Sequence, residues 1–139
     1  MEQAKEALGW LSHLAQYSKT YSWYDVMRAR DVVIQAAAQP ELADAAVPLL
    51  GYLGDEASQG LLVNLASQES LSIDDRQRAA NAFGEAVLRR GLMLRRATVY
   101  AQYDRYNASE TEEQPVQDVL GQILDIIETQ TKPTSLQTP

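Results

Sequence analysis

Residues 53–87 limit the possible folds of this chain more than any other stretch, because the rest of the sequence repeats the unit that they form. The stretch holds two runs of apolar residues with the period of an amphipathic helix, joined by a polar turn. Its second run contains Ala79, Ala80 and the dipeptide Phe83-Gly84. The predicted building block is therefore a pair of short helices.

Two kinds of internal similarity support the repeat. Residues 30–42 align with residues 59–71, and their apolar positions coincide. An apolar-Gly-x-apolar pattern also recurs inside four predicted helices, at Gly9, Gly51, Gly84 and Gly121. A glycine inside a helix costs about 1 kcal/mol relative to alanine. Four glycines at the same phase therefore predict one shared cause, and the cause we expect is close approach between neighbouring helices.

The remaining sequence shows the same helical period, so we predict an all-α fold of about seven short helices. Pro48 lies inside the third helix and is expected to kink it or delay its start. Ser72 or Asp74 is expected to cap the fifth helix, which runs to about Arg90, and Gly91 to interrupt the helical pattern. The other predicted helices span residues 2–16, 23–39, 41–53, 56–67, 92–106 and 115–128. We expect residues 1–128 to form one helical domain and residues 129–139 a polar, flexible tail.

Composition excludes several kinds of site. The chain has no cysteine and one histidine, His13, which removes disulfides, thiolate chemistry and sites with several histidines. We therefore expect no metal, no cofactor and no catalytic residue. A net charge of −7 and the absence of a long apolar run or a signal-peptide pattern predict a soluble, cytoplasmic protein with no membrane partner.

Two motifs in residues 53–87 resemble a known family. Leu53-Gly54-Asp55 precedes a leucine-rich helix, and Arg76-x-x-Ala79-Ala80-x-Ala82-Phe83-Gly84 marks the second helix. These motifs resemble HEAT and HEAT-like (bilin-lyase-type) repeats. The resemblance is good over residues 53–87 and fair over residues 28–54, and Pro48, Arg95 and Arg96 depart from it. It implies a right-handed α-α superhelix, an α-solenoid, in which the second helix of each pair lines a concave side that often binds partners. It also implies that Arg76 and Arg78 connect neighbouring repeats rather than perform chemistry.

Residues 76–106 form a basic segment, with seven arginines against two carboxylates, and they also carry Tyr100, Tyr103 and Tyr106. Arginine interleaved with aromatic residues is typical of nucleic-acid binding. Alternatively, the arginines neutralise acidic parts of the same domain while the tyrosines pack, or the segment docks on an acidic protein surface.

Candidate partner-binding residues come from two sets. The first belongs to the basic segment: Arg89, Arg90, Arg95, Arg96 and Tyr100. Members of the second set follow the repeat glycines: Trp10, Tyr52 and Glu85.

Our first hypothesis is a non-enzymatic scaffold or adaptor module, expected to be part of a larger protein, that binds another protein or another domain of the same chain. The alternatives are a nucleic-acid-binding domain that uses residues 76–106, and a bilin-lyase-like ligand-binding protein.

Overall fold

The computed structural model describes residues 2–17 and 30–131, and within them the all-α prediction is confirmed. These residues form seven α-helices and one 3-10 turn: α1 (Glu2–Tyr17), α2 (Arg30–Ala37), α3 (Pro40–Leu53), α4 (Glu56–Ala66), α5 (Ile73–Arg90), α6 (Arg96–Ala108), the turn Ser109–Thr111, and α7 (Gln114–Thr131). None of these described helices is long and apolar enough to cross a membrane.

Local signals set most helix ends. Gly54 ends α3 with a positive φ of 67°, and its N–H donates to the carbonyl of Leu50 at 2.9 Å. Asp55 caps α4 by accepting hydrogen bonds from the backbone and hydroxyl of Ser58. Of the two predicted caps for α5, the structure uses Ser72, whose hydroxyl accepts from the N–H of Asp75 at 3.2 Å. The Leu-Gly-Asp motif is therefore the turn that joins α3 to α4.

Three predicted helices differ from those observed by more than one residue, and one of them, α7, ends at Thr131 rather than at residue 128. The first part of the predicted helix 23–39 lies outside the described residues, and α2 ends at Ala37. The sixth helix begins at Arg96 rather than Leu92. The reason is that the Gln59 side chain donates a hydrogen bond to the carbonyl of Gly91 and accepts one from the N–H of Met93. Those two backbone groups are thereby held outside any helix.

The helices pack in chain-order pairs, α2 with α3, α4 with α5 and α6 with α7. The second helices of successive pairs make the contacts between pairs: α3 packs on α5, and α5 packs on α7. α1 packs on α3 in the same way. These four helices form a continuous layer, which we call the second-helix layer. The core between the helices includes the fully buried side chains of Leu50, Leu62, Phe83 and Ile123. Each such side chain contributes on the order of 2 kcal/mol by leaving water.

Close helix approach explains only one of the four repeat glycines. A Cβ at Gly51 would lie 2.9 Å from the carbonyl oxygen of Ala82 and 3.2 Å from its Cα, so the backbones of α3 and α5 touch there. A Cβ at Gly84 or Gly121 would make an ordinary contact of 3.4 Å with one side-chain atom, and at Gly9 it would meet nothing within 4 Å. The prediction of one shared packing cause is therefore wrong outside Gly51.

Candidate interaction surface

The outer side of the second-helix layer carries two shallow grooves that share residues. The groove between α3 and α5 has a volume of about 380 Å³, and the groove between α5 and α7 has about 480 Å³. Asn81 and Glu85 on α5 line both grooves. We call the resulting continuous area the layer surface, and its members are Pro48, Tyr52, Asn81, Glu85, Leu88, Gln122 and Ile126.

Three predicted partner-binding residues meet in one cluster, and two of them, Tyr52 and Glu85, belong to the layer surface. Arg89 donates a hydrogen bond from Nε to Oε1 of Glu85 at 2.7 Å, one turn earlier on α5. Its guanidinium carbon also lies 4.8 Å from the ring centroid of Tyr52 on α3. A cation–π contact of this kind contributes about 0.5–1 kcal/mol at an exposed site. Arg89 therefore connects α3 to α5 while it keeps the Glu85 carboxylate in place.

An amide cluster connects α5 to α7 beside the second groove. The Nε2 group of Gln77 donates to Oε1 of Gln122 at 2.6 Å and to Oδ1 of Asn81 at 3.0 Å. Gln122 in turn donates to Oδ1 of Asn81 at 2.9 Å. Gln77 and Asn81 were not among the predicted site residues. Their spacing with Glu85, four residues apart along one face of α5, is the signal that could have identified them.

Leu88 is the most exposed large apolar residue of the layer surface, with 81% of its surface open to solvent. It lines the second groove, together with the partly buried Ile126 of α7. Leu88 was not among the predicted site residues, because it is apolar and lies within a helical run. Its position three residues after Glu85 and seven after Asn81 puts it on the polar face of α5, away from Phe83 and Val87.

Arg90 and Arg95 lie apart from this cluster. The Nε group of Arg90 donates to the carbonyl of Leu53 at 3.4 Å, at the end of α3. Partial burial, assisted by the charge of Arg89, lowers the pKa of Arg90 from its ordinary value. Arg95 donates to Glu56 on α4 at 2.5 Å, and this hydrogen bond raises the pKa of Arg95.

A groove of about 680 Å³ lies beside α4, between Arg30 and the segment from Met93 to Thr98. Two ion pairs line it, Arg30 with Asp55 at 2.9 Å and Arg95 with Glu56. Of the four predicted arginines Arg89, Arg90, Arg95 and Arg96, Arg95 alone lines this groove. The predicted arginines therefore do not converge on one surface.

The last three predicted residues are exposed on other helices. Arg96 and Tyr100 lie one turn apart on α6, and Tyr100 is 62% exposed. Trp10 on α1 is 69% exposed, and its ring meets the ring of His13 edge to face at 6.5 Å. Trp10 belongs to the same helix layer as Tyr52, since α1 packs on α3.

Most arginines of residues 76–106 bond to other groups of the domain. Arg76 is buried, and its Nε donates to the carbonyl of Ala66 at 2.8 Å, at the end of α4. Arg78 donates to Asp44 of α3 at 2.5 Å, so Arg78 rather than Arg76 connects successive helix pairs. Arg105 donates to the side chains of Gln102 and Asn64. Together with Arg89, Arg90 and Arg95, six of the seven arginines bind groups of the domain itself. These contacts favour the interpretation that the arginines neutralise carboxylates and donate to backbone carbonyls within the domain.

Within residues 2–17 and 30–131, no group of three or more His, Asp or Glu side chains is placed to hold a metal ion. Comparisons with protein-family models, with curated proteins and with solved structures find no match for this chain. The resemblance to HEAT-like repeats therefore stays a prediction from the sequence motifs of residues 28–87.

Proposed function

We propose that this chain is a HEAT-like α-solenoid, a right-handed α-α superhelix, that works without catalysis as a protein-interaction module. Its partner is another protein, or another domain of the same chain, and it binds on the layer surface. The observation that carries the proposal is Leu88, an exposed leucine among charged and amide side chains in the open groove between α5 and α7.

The composition of the layer surface supports binding of a protein rather than chemistry. Interfaces commonly combine an apolar centre with a polar rim. Leu88 and Ile126 supply the apolar centre, and Asn81, Glu85 and Gln122 supply the rim. Because the amide cluster and the Arg89 contacts hold α3, α5 and α7 together, the surface is ordered before a partner arrives, and less conformational entropy is lost on binding.

The geometry of the grooves favours a helical partner segment. Both grooves run between adjacent helices of one layer, and apolar side chains spaced three or four residues apart on an amphipathic helix fit such grooves. The partner helix would place its apolar side on Leu88 and Ile126 and its polar side over Glu85.

Photocrosslinking in cells tests the proposal. We would place p-benzoylphenylalanine at Asp125, which is exposed and lines the second groove, and compare two variants of that protein. Leu88→Asp puts a charge on the layer surface, and Val32→Asp is its control, because Val32 is an exposed aliphatic residue of α2 outside that surface.

We expect defined crosslinked adducts that disappear in Leu88→Asp and persist in Val32→Asp. Adducts of equal intensity in both variants, or no adduct at all, would contradict the proposal. Circular dichroism of the two purified variants checks that each keeps its helices.

A further inference from the structure

Another cavity lies between the first two complete helix pairs, and Arg78 lines both this cavity and the groove between α3 and α5. α3 and α5 pack closely through Gly51, whereas α2 and α4, the first helices of the same two pairs, make few contacts. The gap that remains is a cavity of about 300 Å³. Its apolar walls come from both pairs: Ala37, Ala43 and Val47 on one side, and Leu61, Leu65 and Leu71 on the other.

The small side chains of one wall keep the cavity open. Ala37 and Ala43 stand where longer aliphatic side chains would fill the space, and Leu61 and Leu71 on the opposite wall are partly exposed. Leaving apolar surface in contact with water costs about 25 cal/mol per Å², so a ligand that covers it is stabilised. A concave, mostly apolar pocket with a few polar groups is the usual form of a small-molecule site.

Polar groups of the cavity decide which ligand it accepts. Arg78 Nη1 lies 2.5 Å from Oδ1 of Asp44 and 3.3 Å from Oδ1 of Asp75, and all three residues line the cavity. Two carboxylates share one guanidinium, so the set carries one unit of negative charge. Among the contacts formed by the described residues, both aspartates use Oδ1, which leaves Oδ2 of each as an acceptor.

We propose that this cavity binds a small primary amine with an apolar body, in its ammonium form. At about 30 Å³ for each water-sized group, the cavity holds on the order of ten non-hydrogen atoms. The apolar body covers Leu61 and Leu71, and the ammonium donates hydrogen bonds to Asp44 and Asp75. A carboxylate of the same size meets two like charges against the single opposite charge of Arg78, and an alcohol gains no ionic attraction.

Methyl NMR with three matched probes tests this site. The protein, labelled with ¹³C at Ala, Leu and Val methyl groups, is titrated with hexylammonium, hexan-1-ol and hexanoate. We expect hexylammonium to shift the Val47 and Leu65 methyl signals and to bind about three- to tenfold more tightly than hexan-1-ol, with hexanoate weakest. Equal affinity for the three probes would overturn the charge argument, and no shift at these methyl groups would overturn the site.

Variants provide the second arm of the experiment. Ala43→Leu fills the cavity and should abolish the shifts. The double variant Asp44→Asn, Asp75→Asn keeps the walls and should remove the preference for hexylammonium over hexan-1-ol. The control Asp31→Asn removes an exposed carboxylate outside the cavity and should leave affinity unchanged. A preference that survives in the double variant contradicts the proposal even if Ala43→Leu does not fold.

Discussion

Gln59 provides the sharpest test of how this fold is held together. Its side chain is fully buried, and its amide makes three hydrogen bonds to backbone groups. Nε2 donates to the carbonyl of Gly54 at 2.9 Å and to that of Gly91 at 2.8 Å, and Oε1 accepts from the N–H of Met93 at 2.8 Å. One glutamine therefore connects the turn before α4 to the segment before α6.

Replacement of Gln59 by leucine keeps roughly the same volume and removes all three hydrogen bonds. Each bond contributes about 1 kcal/mol to stability, and a buried group left without a partner costs about 1–3 kcal/mol. The Gly54 carbonyl belongs to a buried residue, whereas Gly91 and Met93 can be partly rehydrated. We therefore expect Gln59→Leu to lower the free energy of unfolding by about 2–4 kcal/mol, a large part of the usual stability of a small domain.

Urea unfolding followed by far-UV circular dichroism measures this loss. With a slope of about 2 kcal/mol per molar urea, the midpoint should fall by about 1–2 M. Gln35→Leu is the matched control, because Gln35 is exposed on α2, and its midpoint should stay within about 0.3 M of the wild type.

Hydrogen exchange adds a local readout, since the Met93 amide should lose protection in Gln59→Leu. A Gln59→Leu midpoint that matches the wild type, or an equal fall in Gln35→Leu, would refute the inference that these three bonds stabilise the domain.

Three further predictions follow from particular contacts. Gly51→Ala should destabilise the domain by about 1–3 kcal/mol, because the added Cβ meets the α5 backbone at 2.9 Å. Gly84→Ala should be neutral or stabilise the domain by up to about 1 kcal/mol. Equal urea midpoints for the two variants would contradict this reasoning. Tyr103 donates a hydrogen bond to Glu128 at 2.9 Å, and this bond raises the pKa of the Tyr103 phenol. The stabilising effect of the bond is therefore complete below the ordinary tyrosine pKa of about 10 and is lost as pH rises through the raised pKa. Unfolding measured from pH 8 to 11 should show this loss in the wild type and a smaller loss in Tyr103→Phe, and identical pH profiles would exclude it. Most arginines of residues 76–106 already have partners within the domain. The protein should therefore pass through a heparin column without retention at an ionic strength of about 0.15 M. Retention with a steep salt dependence would instead favour nucleic-acid binding.

Local sequence signals were sufficient for much of the secondary structure. The Gly54-Asp55 turn, the Ser72 cap and the stop at Gly91 all depend on groups within about one helical turn of the helix end. Amphipathic periodicity likewise predicted the buried faces of α5 and α7, where Phe83 and Ile123 are fully buried. Such features follow from backbone geometry and side-chain type, and both can be read directly from the sequence.

Part of the candidate site was also accessible from the sequence. Tyr52, Glu85 and Arg89 were predicted as partner-binding residues, and the structure brings these three together. Their contact depends on the separation of α3 and α5, which Gly51 allows to be short. The sequence predicted close approach at all four repeat glycines, and it could not tell which of them meets a neighbouring backbone.

The tertiary structure alone decided the remaining features, because each depends on groups far apart in the chain. α6 starts late because Gln59, more than thirty residues earlier, bonds the backbone at Gly91 and Met93. Residues 76–106 were predicted as a basic segment, yet most of their arginines bond to partners on α3 and α4 or within their own helices. Leu88 was not among the predicted site residues. Only the packing of α7 beside α5 shows that it lines a groove together with Ile126.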